Sequence, residues 1–191
     1  SATAEGEVVV NGMSPSRRDS KYANSGIVVE INVDKDLYRY EKFGALKGLE
    51  YQKDLERLAF TSGGRSQTAP SQRLTDFVEG KLSSDLNATS YQPGLKSSPL
   101  HSLLPKLIGS CLRAGFAEFG KKMKGYYTSQ ANVVGVESRT SSPVTIPRNK
   151  NLEHPEIKGL FPCGEGGGYA GGIISAAMDG ERCAEAATAK Y

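Results

Sequence analysis

The sequence predicts an α+β chain, because its apolar runs of strand length and its long helical stripe fall in separate blocks rather than in βαβ alternation. Three stretches carry this expectation. Residues 27–33, IVVEINV, are β-branched on both faces except at Glu30 and Asn32, which suits a largely buried strand. Residues 105–124 place Leu107, Ile108, Cys111, Leu112, Phe116, Phe119 and Met123 at helical spacing for about five turns. Residues 159–187 read as strand, glycine loop and helix, and the chain ends too soon afterwards for a second strand.

In chain order, residues 7–10 form a first short strand, and Asn11-Gly12 turns it into the polar stretch NGMSPSRRDSKYANSG. The two strands, 7–10 and 27–33, can pair antiparallel across that stretch. It is too long for a tight hairpin, and long ordered loops are often functional, so Arg17, Arg18, Asp19, Lys21 and Asn24 are candidates. The alternative is a solvated surface loop. A charged connector follows, then GLEYQKDLERLAFTSGG, where Tyr51, Leu55, Leu58 and Ala59 share a helical face and Gly63-Gly64 supply the stop. Residues 65–70 read as extended, and a short helix follows through Asp76, Phe77 and Val78. Residues 81–98 are loop-like.

Ser97, Ser98 and Pro99 make a helix start, and Pro105 is tolerated only where a new helix begins or the first one kinks. The stripe of the following helix, Leu104 and Cys111 included, is expected to be core, with Cys111 as a small buried hydrophobe. Strands at 131–137 and 144–146 flank SRTSSP. There Arg139, Thr140, Ser141 and Ser142 combine a fixed cation with hydroxyl donors, suited to a phosphate, a carboxylate or the polar edge of a ring, or else to an exposed turn. His101 and His154 have no sequence partner that implies catalysis.

The closing element is the most informative. Leu160, Phe161 and Cys163 are the expected strand, and six glycines follow between positions 164 and 172. In the helix, Ile173, Ile174, Ala177 and Ala184 are expected on the inner face, with Asp179, Glu181, Arg182 and Glu185 on the other. Glycines admit close approach to the backbone, and the free N–H groups at a helix start attract electron-rich oxygens. This is a candidate cofactor cradle. Gly166, Gly168 and Gly171 satisfy G-x-G-x-x-G, but without a following strand and acidic residue they do not make the dinucleotide fingerprint.

Composition narrows the class. At 191 residues one good core is possible, and a net charge of +3 with dispersed Lys and Arg gives no nucleic-acid tail or membrane-surface patch. Cys111, Cys163 and Cys183 are odd in number, widely spaced and outside any C-x-x-C, which argues against a disulfide framework or a zinc site. A reducing, cytoplasmic compartment is expected. No signal peptide opens the sequence, and no apolar run approaches the roughly twenty residues that span a bilayer.

GLFPCGEGGGYAGGIISAAMDG resembles the C-terminal flavin-contacting segment of the uncharacterised FAD-dependent dehydrogenases, once called NAD-utilising dehydrogenases and related to the HI0933-like flavoproteins. The likeness continues through VVVNGMSPSRRDSKYANSG, APSQRLTDF and VESRTSSPVTIPR, nearly the whole chain. It implies a C-terminal portion of a larger flavoprotein whose N-terminal FAD-binding part lies outside this sequence. Residues 1–130 would then be part of an inserted substrate-side domain, and 131–191 the closing strand-loop-helix of a Rossmann-like FAD-binding domain. On this likeness Gly164, Glu165, Gly166, Gly167, Gly168, Tyr169, Ala170, Gly171, Gly172 and Ile173 contact FAD, with Glu165 accepting from a ribityl hydroxyl. Arg17, Arg18, Asn24, Arg139, Thr140, Ser141 and Ser142 would line a shared substrate or flavin-side pocket near the glycine loop. The chemistry would be hydride or electron transfer on a small-molecule substrate, with NAD(P) as a candidate donor or acceptor and no side chain standing out as acid or base.

Two other classes fit less of the chain. An RNA-modifying flavoprotein segment could use Arg17, Arg18, Arg65, Arg73 and Arg139, but no base-stacking aromatics are interleaved with them. A non-catalytic interaction domain would use the amphipathic helix instead.

Overall fold

The computed structural model of the chain describes residues 3–13 and 16–190, so Ser14 and Pro15 of the basic loop lie outside the described residues. Two units are interleaved along the sequence: Ser1–Ile31 with Lys53–Ser138, and Asn32–Gln52 with Arg139–Tyr191. The second unit thus joins a segment from the first third of the sequence to the C-terminal residues. Mixed helix and sheet, with one three-stranded sheet, agrees with the α+β expectation.

In the first unit that sheet has the order β2-β1-β3, where β1 is Ala69–Arg73, β2 is Leu95–Ser97 and β3 is Asn132–Val134. The central strand β1 runs parallel to β2, with Ala69 opposite Leu95, and antiparallel to β3, with Ser71 opposite Val134. Its sequence, APSQR, is polar yet buried, which is tolerable because its side chains find partners. Ser71 donates to the Val133 carbonyl at 2.7 Å, and the Gln72 amide donates to the Lys81 carbonyl at 2.6 Å and accepts from the His101 N–H at 2.9 Å.

Helices α3 (Leu74–Glu79), α4 (Leu100–Leu103) and α5 (Lys106–Lys122) pack beside the sheet around Leu74, Phe77, Leu100, Leu104 and Phe116. Phe77 and Phe116 meet edge to face at 5.8 Å. Pro105 sits at the N-cap of α5, so a new helix does begin there. The stripe is core as expected around Ile108, Leu112, Phe116 and Phe119. Leu107, Cys111 and Met123, however, are exposed, because the buried seam of α5 is narrower than its apolar stripe. A second cluster joins Val8, Val10, Ala59 and Ala69. Ala59 lies on α2 (Lys47–Ser62), which stops where foreseen. A Cβ on Gly63 would fall 2.0 Å from the Thr68 carbonyl oxygen, and Gly64 has φ +98°, so both positions require glycine.

Several expected strands are absent among the described residues. Residues 7–10 are buried but tied by single bonds, Val8 N–H to the Glu56 carbonyl and Val10 N–H to the Val136 carbonyl, rather than by a ladder. In residues 27–33 Val28 is 55% exposed, and Val33 begins the short helix α1 (Val33–Asp36). The local reason is Asn32, whose side chain accepts from the N–H groups of Asp34 and Lys35 and so caps a helix where β-branching favoured a strand. Conversely, β2 lies inside the stretch read as loop.

The second unit is held by the helix α6 (Ile173–Lys190) and by the segments that lead into it. Residues 144–146 and 160–163, both expected as strands, are irregular. Ser142 captures the Val144 carbonyl at 2.6 Å, a local turn bond that competes with sheet pairing, and Pro162 has no N–H for a ladder. The face of α6 is inverted relative to expectation. Asp179 and Cys183 are buried at 6% and 3% exposure, whereas Ile173 and Ile174 are 84% and 72% exposed.

Candidate functional site

The glycine loop connects the irregular segment at 160–163 to the start of α6, and its glycines divide into two kinds. Gly164 and Gly168 have φ of +68° and +82°, values that L side chains rarely adopt. A Cβ on Gly168 would also lie 2.7 Å from the Val144 carbonyl oxygen, and one on Gly167 would lie 3.0 Å from the Cys163 carbonyl oxygen. These positions are explained by a tight turn, which the N–H of Gly168 to the Glu165 carbonyl and the N–H of Tyr169 to the Gly164 carbonyl close at 3.0 Å each. Gly166 and Gly171 are different. Neither has a positive φ, and a Cβ on either would meet nothing within 4 Å. No packing within the chain explains them, and they leave open backbone that a ligand can approach.

Glu165 is exposed between these two kinds of glycine, and its carboxylate has no partner among the described residues. Gly168 and Tyr169 spend their N–H groups inside the turn, whereas the exposed Gly171 and Gly172 and the first turn of α6 make no such backbone bond with theirs. Gly172 starts the helix by accepting from the Ala176 N–H at 2.9 Å and from the Ser175 hydroxyl at 3.0 Å. Ala170 is half-buried and Ile173 faces outward. The loop thus presents one exposed carboxylate, a hydrogen-bond acceptor, beside backbone without side chains.

Beneath the loop lies a charged network that the sequence reading did not single out. The Arg148 guanidinium makes a bidentate pair with Asp179, at 2.7 and 3.0 Å, and also donates to the Pro162 carbonyl at 3.0 Å and toward the Cys183 sulfur at 3.3 Å. Its plane lies over the Tyr169 ring at 3.6 Å, and Asp179 accepts from the Gly164 N–H at 2.9 Å. Arg148 and then the Gly164 N–H hold the Asp179 carboxyl below the usual carboxylate range, while burial raises the Cys183 thiol. The Tyr169 hydroxyl donates to the Ile146 carbonyl at 2.8 Å, and the Ile146 N–H donates to the Gly167 carbonyl at 3.1 Å, so residues 144–146 lie against the loop. The sequence hint was the stripe of Ala176, Asp179 and Cys183 at helical spacing, small residues that admit a neighbouring chain.

The other candidates are placed as follows. Arg17 and Arg18 are exposed in the first unit, Arg18 with φ +52°, and the Asn24 amide donates to the Met13 carbonyl at 3.3 Å. Arg139, Thr140 and Ser141 are exposed in the second unit, and Ser142 is committed to Val144. Ser138, in the first unit, donates to the buried Glu56 at 2.7 Å. Both histidines are structural. His101 bonds Gln72, and the His154 Nδ1 accepts from the N–H groups of Glu156 and Ile157 at 3.1 Å each. Among the described residues no group of His, Cys, Asp or Glu could hold a metal ion, and no helix is long and apolar enough to cross a membrane.

Comparison with known proteins gives the geometry a family. Residues 1–140 match the family model of FAD-dependent protein, C-terminal domain-like. An uncharacterized protein of Clostridium beijerinckii is 41% identical over 192 residues, covering 100% of this chain and 35% of the relative, so the chain spans about a third of that protein. The family match ends before the glycine loop, whereas the identity with the relative runs through it. The chain belongs to the FAD-dependent protein, C-terminal domain-like family.

Proposed function

We propose that this chain is the C-terminal part of a flavin-dependent oxidoreductase, a dehydrogenase akin to the HI0933-like flavoproteins. The observation that carries this reading is the pair of glycines, Gly166 and Gly171, whose missing side chains face open space beside an uncommitted Glu165, in a chain of an FAD-dependent family. The residues fit the cofactor. Glu165 would accept from a ribityl hydroxyl, and the N–H groups of Gly171, Gly172 and the first turn of α6 would face the electron-accepting edge of the ring. FAD, when bound, supplies the hydride or electron transfer, and the protein holds and orients it. Within the second unit, Arg139, Thr140, Ser141 and Ser142 would face a small-molecule substrate, and NAD(P) is the proposed electron partner.

The ADP half of FAD needs a phosphate cradle that these residues do not offer, so we assign it to the remainder of a longer cytoplasmic chain. Two features support that partner. The relative has most of its length outside the matched region, and the outer face of α6 presents Ile173, Ile174 and Met178 to solvent, apolar surface that a covering domain would bury.

Equilibrium dialysis of FAD against the full-length protein tests the role of Glu165. Losing one charge-assisted hydrogen bond in Glu165→Ala is expected to weaken binding about tenfold to a hundredfold. Unchanged affinity would return Glu165 to a surface carboxylate beside a helix.

A further inference from the structure

We infer that Arg148 and Asp179 are positioning residues that set the backbone of the glycine loop, an inference that rests on reading that loop as the flavin contact. Glycine has more conformational freedom to lose than any other residue, so a ligand that had to order this loop would bind weakly. The structure removes that freedom in advance. Arg148 takes the Pro162 carbonyl just before the loop and stacks on Tyr169 within it, and Asp179 takes the Gly164 N–H. The segment that ends in Arg148 also holds the loop directly. Ile146 bonds the Gly167 carbonyl through its N–H and the Tyr169 hydroxyl through its carbonyl. Positions 162, 164, 167 and 169 are thereby fixed, and Gly166 and Gly171 are left open to solvent.

Stability alone is a poor reason for such a pair. The Arg148 and Asp179 side chains are only 13% and 8% exposed, and the desolvation of two charges offsets most of their attraction. What a guanidinium–carboxylate fork adds is fixed geometry: two parallel bonds, a plane to stack and further N–H groups aimed at a carbonyl. Lysine keeps the charge and loses all three.

Peptide-resolved hydrogen exchange and FAD dialysis on the full-length protein test this, using Arg148→Lys, which keeps the charge without the fork, and Asp179→Asn, which keeps the shape without the charge. In the flavin-free protein, exchange at residues 164–172 is expected to accelerate about tenfold in both variants, with the later turns of α6 and all of α5 little changed. The Kd for FAD is expected to rise about tenfold, with Arg148→Lys giving no rescue. Unchanged loop exchange would overturn the inference, and so would equal acceleration throughout α6, since the pair would then be an ordinary brace. If the loop loosens while FAD affinity stays the same, the positioning role stands and the flavin reading of the loop fails.

Discussion

Gly166 and Gly168 stand two residues apart and differ in what their missing side chains do. At Gly168 a Cβ would meet the Val144 carbonyl oxygen and the backbone lies at φ +82°, so alanine there is strained within the fold itself. At Gly166 neither obstacle exists. We therefore expect Gly168→Ala to destabilise the protein by about 2 kcal/mol or more, from left-handed strain and overlap together. Gly166→Ala is expected to be neutral, or stabilising by up to about 1 kcal/mol, because it narrows the unfolded ensemble. Denaturant midpoints measure both, and FAD dialysis of the Gly166 variant should show weakened binding despite the sound fold. A destabilised Gly166→Ala would mean that the position serves packing after all. At this scale the sequence marks the glycine cluster and Glu165 as candidates, whereas the split between turn glycines and open glycines depends on φ and on neighbours remote in sequence.

Among the elements, periodicity decided what could be read in advance. Helices α2 and α5 announce themselves by apolar spacing, by the stop at Gly63 and by the start at Pro105. The strands at 27–33 and 144–146 were misread because β-branched composition reports a fit to a pleated surface, not the presence of a partner strand, and 160–163 because a short apolar run carries no partner either. Asn32 capping, the Ser142 turn and Pro162 redirect those segments. The inner face of α6 was misassigned for a related reason. Ile173 and Ile174 outweigh alanine in any hydrophobic count, and only the fold shows that Asp179 turns inward to meet Arg148. Because its folded carboxyl titrates below the ordinary value of about 4, the stability that Asp179 contributes is present above that value and is lost as pH falls through the folded one. Glu153, paired with Lys190 and bonded to the Gly159 N–H, has the same sign. Thermal melts taken from pH 5 down to pH 2 (about the carboxylate range) should show a falling Tm. In Asp179→Asn the acid loss should be smaller and the Tm near neutrality lower. An acid limb equally steep in that variant would remove Asp179 from the account.

For the whole molecule, the α+β class and the membership of an FAD-dependent family agree with the first reading of the residues. The chain matches 35% of its relative, and the outer face of α6 exposes Ile173, Ile174 and Met178. The ADP half of the cofactor belongs, on this account, to chain outside these residues. The decisive measurement is equilibrium dialysis of FAD against the 191-residue chain and, in parallel, against the full-length protein that carries it. We expect the full-length protein to bind FAD stoichiometrically and the 191-residue chain to bind it weakly or not at all. Tight, stoichiometric binding by the 191-residue chain alone, or no binding by the full-length protein, would contradict the account.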